Sequence, residues 1–91
     1  MTNPEQIVVN AIIAYVNKHP NSFVVKTNTT GLSKKQLDLV GSLRGVPFWV
    51  DAKAPGKQAS KLQRGLVRLY RLGGYVSGVV DSVEGFRGLF Y

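Results

Sequence analysis

Two acids and a lysine stand near one another in the middle of this chain: Asp38, then twelve residues, then Asp51-Ala52-Lys53. Asp51 and Lys53 fall within "PFWVDAK", whose remaining members are apolar or aromatic and which reads as a strand. Alternate side chains of a strand share a face, so Trp49, Asp51 and Lys53 point one way while Phe48, Val50 and Ala52 point the other. Two carboxylates with a neighbouring ammonium are the material for holding a hard divalent ion through oxygen and for stabilising charge on a phosphate.

The elements around these residues decide whether they meet. "LDLVGSL" and "PFWVDAK" flank "RGV", two apolar runs around a short Gly-containing connection, the pattern of a β-hairpin. A two-residue turn at Arg44-Gly45 pairs residues whose numbers sum to 89, which sets Asp38 opposite Asp51. A loop longer by two residues raises the sum to 91, placing Asp38 opposite Lys53 and diagonal to Asp51. Either odd register gathers all three; an even one scatters them.

Like charges opposite each other on a sheet are destabilising, so the pair of acids calls for a cation. In one reading Lys53 forms an internal ion pair with one aspartate, which leaves the second unexplained. In the other, Asp38 and Asp51 hold Mg²⁺, with Mn²⁺ as the alternative, for attack of water on a phosphodiester. Lys53 then orients the nucleophile or stabilises developing charge.

The flanking chain supplies the rest of an α/β order. Pro4 at a first helical position with Asn3 as cap opens a helix over "PEQIVVNAIIAYVNKH", ended by Pro20. "SFVVKTN" is a first strand. Ser60 caps "SKLQRGLVRLYRLGG", an amphipathic helix with Leu62, Leu66, Leu69 and Tyr70 as its apolar face and Lys61, Arg64, Arg68 and Arg71 largely opposite. "YVSGVV" is a fourth strand and "SVEGFRGLFY" a short last helix. The expected order is α-β-β-β-α-β-α in one domain over residues 1–91.

Composition narrows the chemistry. With no cysteine and a single histidine, His19, a thiolate or zinc site is excluded. No apolar run approaches the roughly 20 residues of a spanning helix, and "MTNPEQ" lacks a signal-peptide pattern, so an intracellular protein without membrane contact is expected. A net charge of +7 favours a polyanionic partner, against the plainer reading of a soluble basic protein. Lys34, Lys35, Lys57, Lys61, Arg64 and Arg68 are candidate DNA contacts, although the arginines fit a solvated helix face almost as well. Trp49, Tyr15 and Tyr70 are expected in a core or interface rather than as base-stacking groups.

Asp38, twelve residues and Asp51-Ala52-Lys53 together resemble the PD-(D/E)xK nuclease signature, and the element order resembles the core of that superfamily. The longer run "LDLVGSLRGVPFWVDAKAPGKQASKLQRGLVRLYRLGGYVSGVVDSVE" resembles the virus-type replication-repair nuclease (VRR-NUC) family, over about residues 5 to 84. The resemblance implies a restriction-endonuclease-like α/β core with a mixed sheet flanked by helices. It also implies a site role for Gln63 in "GKQASKLQ" beside the catalytic Asp38, Asp51 and Lys53, and metal ligation by Glu5 and the Ala52 backbone carbonyl together with the two aspartates. Asp81 and Glu84 stay at the last strand end and helix start.

Two departures stand out: Gln36-Leu37-Asp38 replaces the usual Gly-x-Pro-Asp, and Asp51 stands where Glu is commoner. Stand-alone members resemble Holliday-junction resolvases, which implies a homodimer cutting four-way junctions in viral or mobile-element recombination and repair, in the host cytoplasm if viral. A flap or branched-DNA nuclease and a non-catalytic basic nucleic-acid-binding module are the rival readings, with a structural RNA-binding protein behind them.

Overall fold

The structure, a computed structural model, describes residues 3–27 and 37–91. Helix α1 spans Pro4–Asn17; strands β1 Phe23–Lys26, β2 Leu39–Leu43 and β3 Val46–Ala52 follow, then α2 Lys61–Leu72, β4 Val76–Val80 and α3 Val83–Gly88. This is the expected α-β-β-β-α-β-α order. The four strands form one mixed sheet in the order β1-β2-β3-β4, antiparallel except for the parallel pair β3 and β4 that α2 connects.

Alternation along β3 sorts the molecule into two layers. Phe48, Val50 and Ala52 are fully buried and join Val8, Val9, Ile12 and Val16 of α1, Leu39 and Leu43 of β2, Val80 and Phe86 in one apolar core. Phe48, Phe86 and Phe90 meet edge to face at centroid distances of 5.0 to 6.0 Å, the geometry that aromatic quadrupoles favour. On the opposite face Trp49 stacks on Tyr70 of α2 at 4.3 Å and 18°. Tyr15 likewise packs into the core layer, so all three expected core aromatics are structural.

The hairpin takes the first of the two expected registers. Leu39 pairs with Val50 and Leu43 with Val46, partner numbers that sum to 89. Arg44 and Gly45 both adopt positive φ, 52° and 84°, as a two-residue turn matched to strand twist requires. Arg44 carries the cost of the left-handed region, offset in part by its N–H, which donates to Ser22 Oγ at 2.9 Å. At Gly41 a side chain has no room, since a Cβ there would come within 2.1 Å of the Phe23 carbonyl oxygen.

Helix α2 is rotated from its expected orientation. Leu62 and Leu69 are 50% and 61% exposed, whereas Gln63, Leu66, Val67 and Tyr70 turn inward. The face packed on the sheet is therefore part polar, and the reason lies in the site.

Candidate active site

Asp51 is the last residue but one of β3, on the α2 side, and is 3% exposed. Each of its oxygens has a donor: the Asp38 backbone N–H reaches Oδ1 at 3.2 Å, and Gln63 Nε2 reaches Oδ2 at 2.7 Å. Lys53 Nζ stands 3.8 Å from Oδ2, a charge contact longer than a hydrogen bond. Burial, and then the charge of the Asp38 carboxylate, push the Asp51 carboxyl up to about 7, and Lys53 with the Asp38 N–H only partly opposes them. Lys53 does not complete the neutralisation of this pair.

Gln63 is aimed by its own helix terminus. Ser60 Oγ accepts from the Gln63 N–H while Gln63 Oε1 accepts from the Ser60 N–H, at 3.1 and 3.0 Å, a reciprocal capping box. With Oε1 committed to the cap, the amide nitrogen must face Asp51. One side chain thus caps α2, sets its roll and holds the buried carboxylate.

Asp38 is held from behind. Leu37 is fully buried, and its carbonyl accepts from Trp49 Nε1 at 3.0 Å and from Thr27 Oγ1 at 2.6 Å. The Thr27 N–H donates to the Asp38 carbonyl at 2.8 Å. Trp49 therefore joins the stack on Tyr70 to the backbone that presents Asp38.

Beyond Lys53 the chain turns at Ala54-Pro55-Gly56-Lys57, closed by the Lys57 N–H donating to the Ala54 carbonyl at 3.0 Å, with Gly56 at φ 84°. Pro and then Gly at positive φ are the residues such a turn demands. Asp81 Oδ2 accepts from the Gly56 N–H at 3.1 Å, so this acid anchors the loop that leads from Lys53 to α2. Nothing in the sequence signalled that partnership; the Ser60-x-x-Gln63 cap was visible as a motif.

The structure brings together Asp38, Asp51, Lys53 and Gln63. Glu5 lies exposed in the first turn of α1, and among the described residues no three His, Cys, Asp or Glu side chains gather to hold a metal. Glu5 is thus not joined to the two aspartates in such a group. Ala52 turns its side chain into the opposite core and could serve only through its backbone. Lys57, Lys61, Arg64 and Arg68 are exposed on the turn and α2, while Lys34 and Lys35 lie outside the described residues. The pair Asp38 and Asp51 fits a divalent ion on its own chemistry: all-oxygen donors, one of them buried and still short of positive charge.

No family model matches the sequence, and no curated protein matches it. Among solved structures, one described as a VRR_NUC domain superposes with a TM-score of 0.79 at 22% identity, over 98% of this chain and 96% of that one. The likeness spans nearly the whole of both chains, and the chain has the VRR_NUC fold, here a mixed four-stranded sheet flanked by helices. No helix among the described residues is long and apolar enough to cross a membrane.

Proposed function

We propose that the chain is a metal-dependent, structure-specific DNA endonuclease that hydrolyses phosphodiester bonds in branched DNA, acting as a homodimer on four-way junctions. The observation that carries this reading is the buried Asp51 carboxylate set beside Asp38, held by two N–H donors with the Lys53 ammonium no closer than 3.8 Å. A bare ion pair or a DNA-binding surface has no use for two neighbouring acids. The similarity in fold to a VRR_NUC domain agrees with it.

Asp38 and Asp51 would hold Mg²⁺ or Mn²⁺, with Glu5 and the Ala52 carbonyl as further proposed ligands. An ion of that kind polarises a phosphate and lowers the pKa of its bound water. Gln63 fixes Asp51 through its capped amide, leaving the carboxylate no freedom to turn away. Lys53, partly exposed beside Asp51, would offer its ammonium to a phosphate oxygen as it gains charge. Lys34, Lys35, Lys57, Lys61, Arg64 and Arg68 would bind the backbone of the DNA. The whole 1–91 chain would act as one nuclease domain in recombination or repair.

Cleavage of linear, flap and four-way-junction DNA with and without Mg²⁺ tests the proposal. Paired symmetric cuts in the junction are expected from the wild type, and Asp51→Asn and Lys53→Ala should each lower the rate at least ~100-fold while salt-sensitive binding persists. Junction cleavage that survives both substitutions refutes it. Cleavage confined to flaps by a protein that sediments as a monomer moves the assignment to a flap nuclease.

A further inference from the structure

A second feature lies beside the catalytic end and away from the aspartates. Between α2, the outer edge of β4 and the end of α3 runs a groove of about 580 Å³. Arg64, Arg68 and Arg71 form one wall, while Val67, Val79 and Leu89 supply apolar surface; no acid is among its lining residues. β4 is the outermost strand on this side of the sheet, so the groove is open along a sheet edge.

Two of the three guanidiniums are pre-positioned. Arg71 Nε donates to the Ser77 carbonyl of the edge strand at 3.0 Å, and Arg64 Nη1 donates to the Ala59 carbonyl at 3.0 Å. Each bond fixes one N–H and leaves the others of its fork available. Along the helix axis Arg64 and Arg68 are separated by about 6 Å and Arg68 and Arg71 by about 4.5 Å. This is a row of cations along a channel, next in sequence to Gln63 and beginning where α2 meets the site.

We infer that this groove binds one unpaired nucleic-acid strand that continues from the scissile phosphate, its phosphates on the three arginines and its sugar and base against the apolar floor. The inference rests on the nuclease reading for the direction of the strand. Its volume lies in the range of small-ligand sites, which admits about one or two nucleotides and not a double helix. A duplex turns its phosphates outward and hides its bases, so it would leave the apolar floor unmatched. An unpaired strand presents both, and guanidinium planes stack on bases as well as pairing with phosphate.

Fluorescence anisotropy in EDTA, where cutting is suppressed, separates this from the nuclease proposal. The probes are a labelled single-stranded 12-mer and a blunt duplex of the same length. Arg64→Ala/Arg68→Ala should weaken the single strand about 10-fold or more and reduce its log–log salt slope by about 1.4, since each phosphate contact on a single strand contributes roughly 0.7. The duplex should lose less than about 3-fold. Lys18→Ala/Arg87→Ala, which removes equal charge elsewhere, should change single-strand binding less than about 3-fold.

Equal loss in the two double variants would reduce the effect to net charge and overturn the inference, as would equal loss for duplex and single strand. Poly-glutamate of matched charge binding as tightly as the 12-mer would assign the groove to acidic peptides instead. Single-strand selectivity without any Mg²⁺-dependent cleavage would support the groove and count against the nuclease; cleavage without selectivity would do the reverse.

Discussion

The two faces of the central sheet are built on opposite principles from the same strand. Toward α1 and α3, Phe48, Val50 and Ala52 are fully buried among aliphatic and phenyl groups, and among the described residues the layer holds no buried charge. Toward α2, the intervening positions Trp49 and Asp51 enter a layer that holds a buried carboxylate, a glutamine amide and Ser77, whose buried hydroxyl has no partner among the described residues. The first face gains free energy from every group it buries. The second gives some of it up, and what it obtains is a carboxylate that stays short of positive charge at the end of β3.

The comparison can be broken from the core side first. Phe48→Ala deletes a ring that touches both Phe86 and Phe90 and should cost about 3–5 kcal/mol in urea unfolding. A loss below about 1 kcal/mol would mean that the α1 and α3 layer is not the stabilising one.

On the other face the sign of a pH effect is diagnostic. With Asp51 at about 7 in the fold and at its ordinary value, 3.8, when unfolded, the native state binds the extra proton between those limits. Metal-free stability should therefore be full below about pH 4, fall as the pH rises toward 7 and level off above it, a loss on the order of 4 kcal/mol. Asp51→Asn should remove that slope. Because a divalent ion competes with the proton for this carboxylate, Mg²⁺ should raise the Tm at pH 8 and hardly at all at pH 5. Stability that climbs from pH 4 to 7 in wild type would contradict the arrangement.

These two faces were not equally legible in the sequence. The core face followed from period-two alternation and from a hairpin pattern that left two odd registers open, both of which gather Asp38, Asp51 and Lys53 on one face; the positive-φ turn at Arg44 and Gly45 decides between them. Gln63 entered only through resemblance to a family, although Ser60-x-x-Gln63 announced the cap that aims it. The Asp81 bond to Gly56 spans 25 residues and no local pattern encodes it. Long-range polar partnerships leave no period behind them, so the α2 face was the harder to read.

Ser77 measures what that face gives up. Its hydroxyl is buried with no partner among the described residues, and such a group costs about 1–3 kcal/mol. Ser77→Ala keeps the volume nearly unchanged and should stabilise the protein by about 1–2 kcal/mol, a Tm increase of roughly 4–8 °C per kcal/mol for a domain of this size. If it destabilises instead, the hydroxyl has a use in the folded state that its surroundings do not reveal.

The smallest expected effect tests the roll of α2. By apolar spacing alone Leu62, Leu66, Leu69 and Tyr70 should face the sheet, and a core Leu→Ala there would cost about 2–5 kcal/mol. In the structure Gln63 and Val67 take the inward positions, and Leu69 is 61% exposed. Three polar contacts hold that roll: the Ser60 cap, the Gln63 bond to Asp51, and the Arg71 bond to the Ser77 carbonyl. Leu69→Gln should then shift stability by no more than about 0.5 kcal/mol. In a Gln63→Ala background the bond to Asp51 and the side-chain half of the capping box are gone while the Gln63 backbone N–H still reaches Ser60 Oγ; the helix is then freer to settle toward its apolar face, and the same Leu69→Gln change should become costlier by about 1 kcal/mol. Identical effects in both backgrounds would show that packing, not the Gln63 amide, decides which way α2 faces.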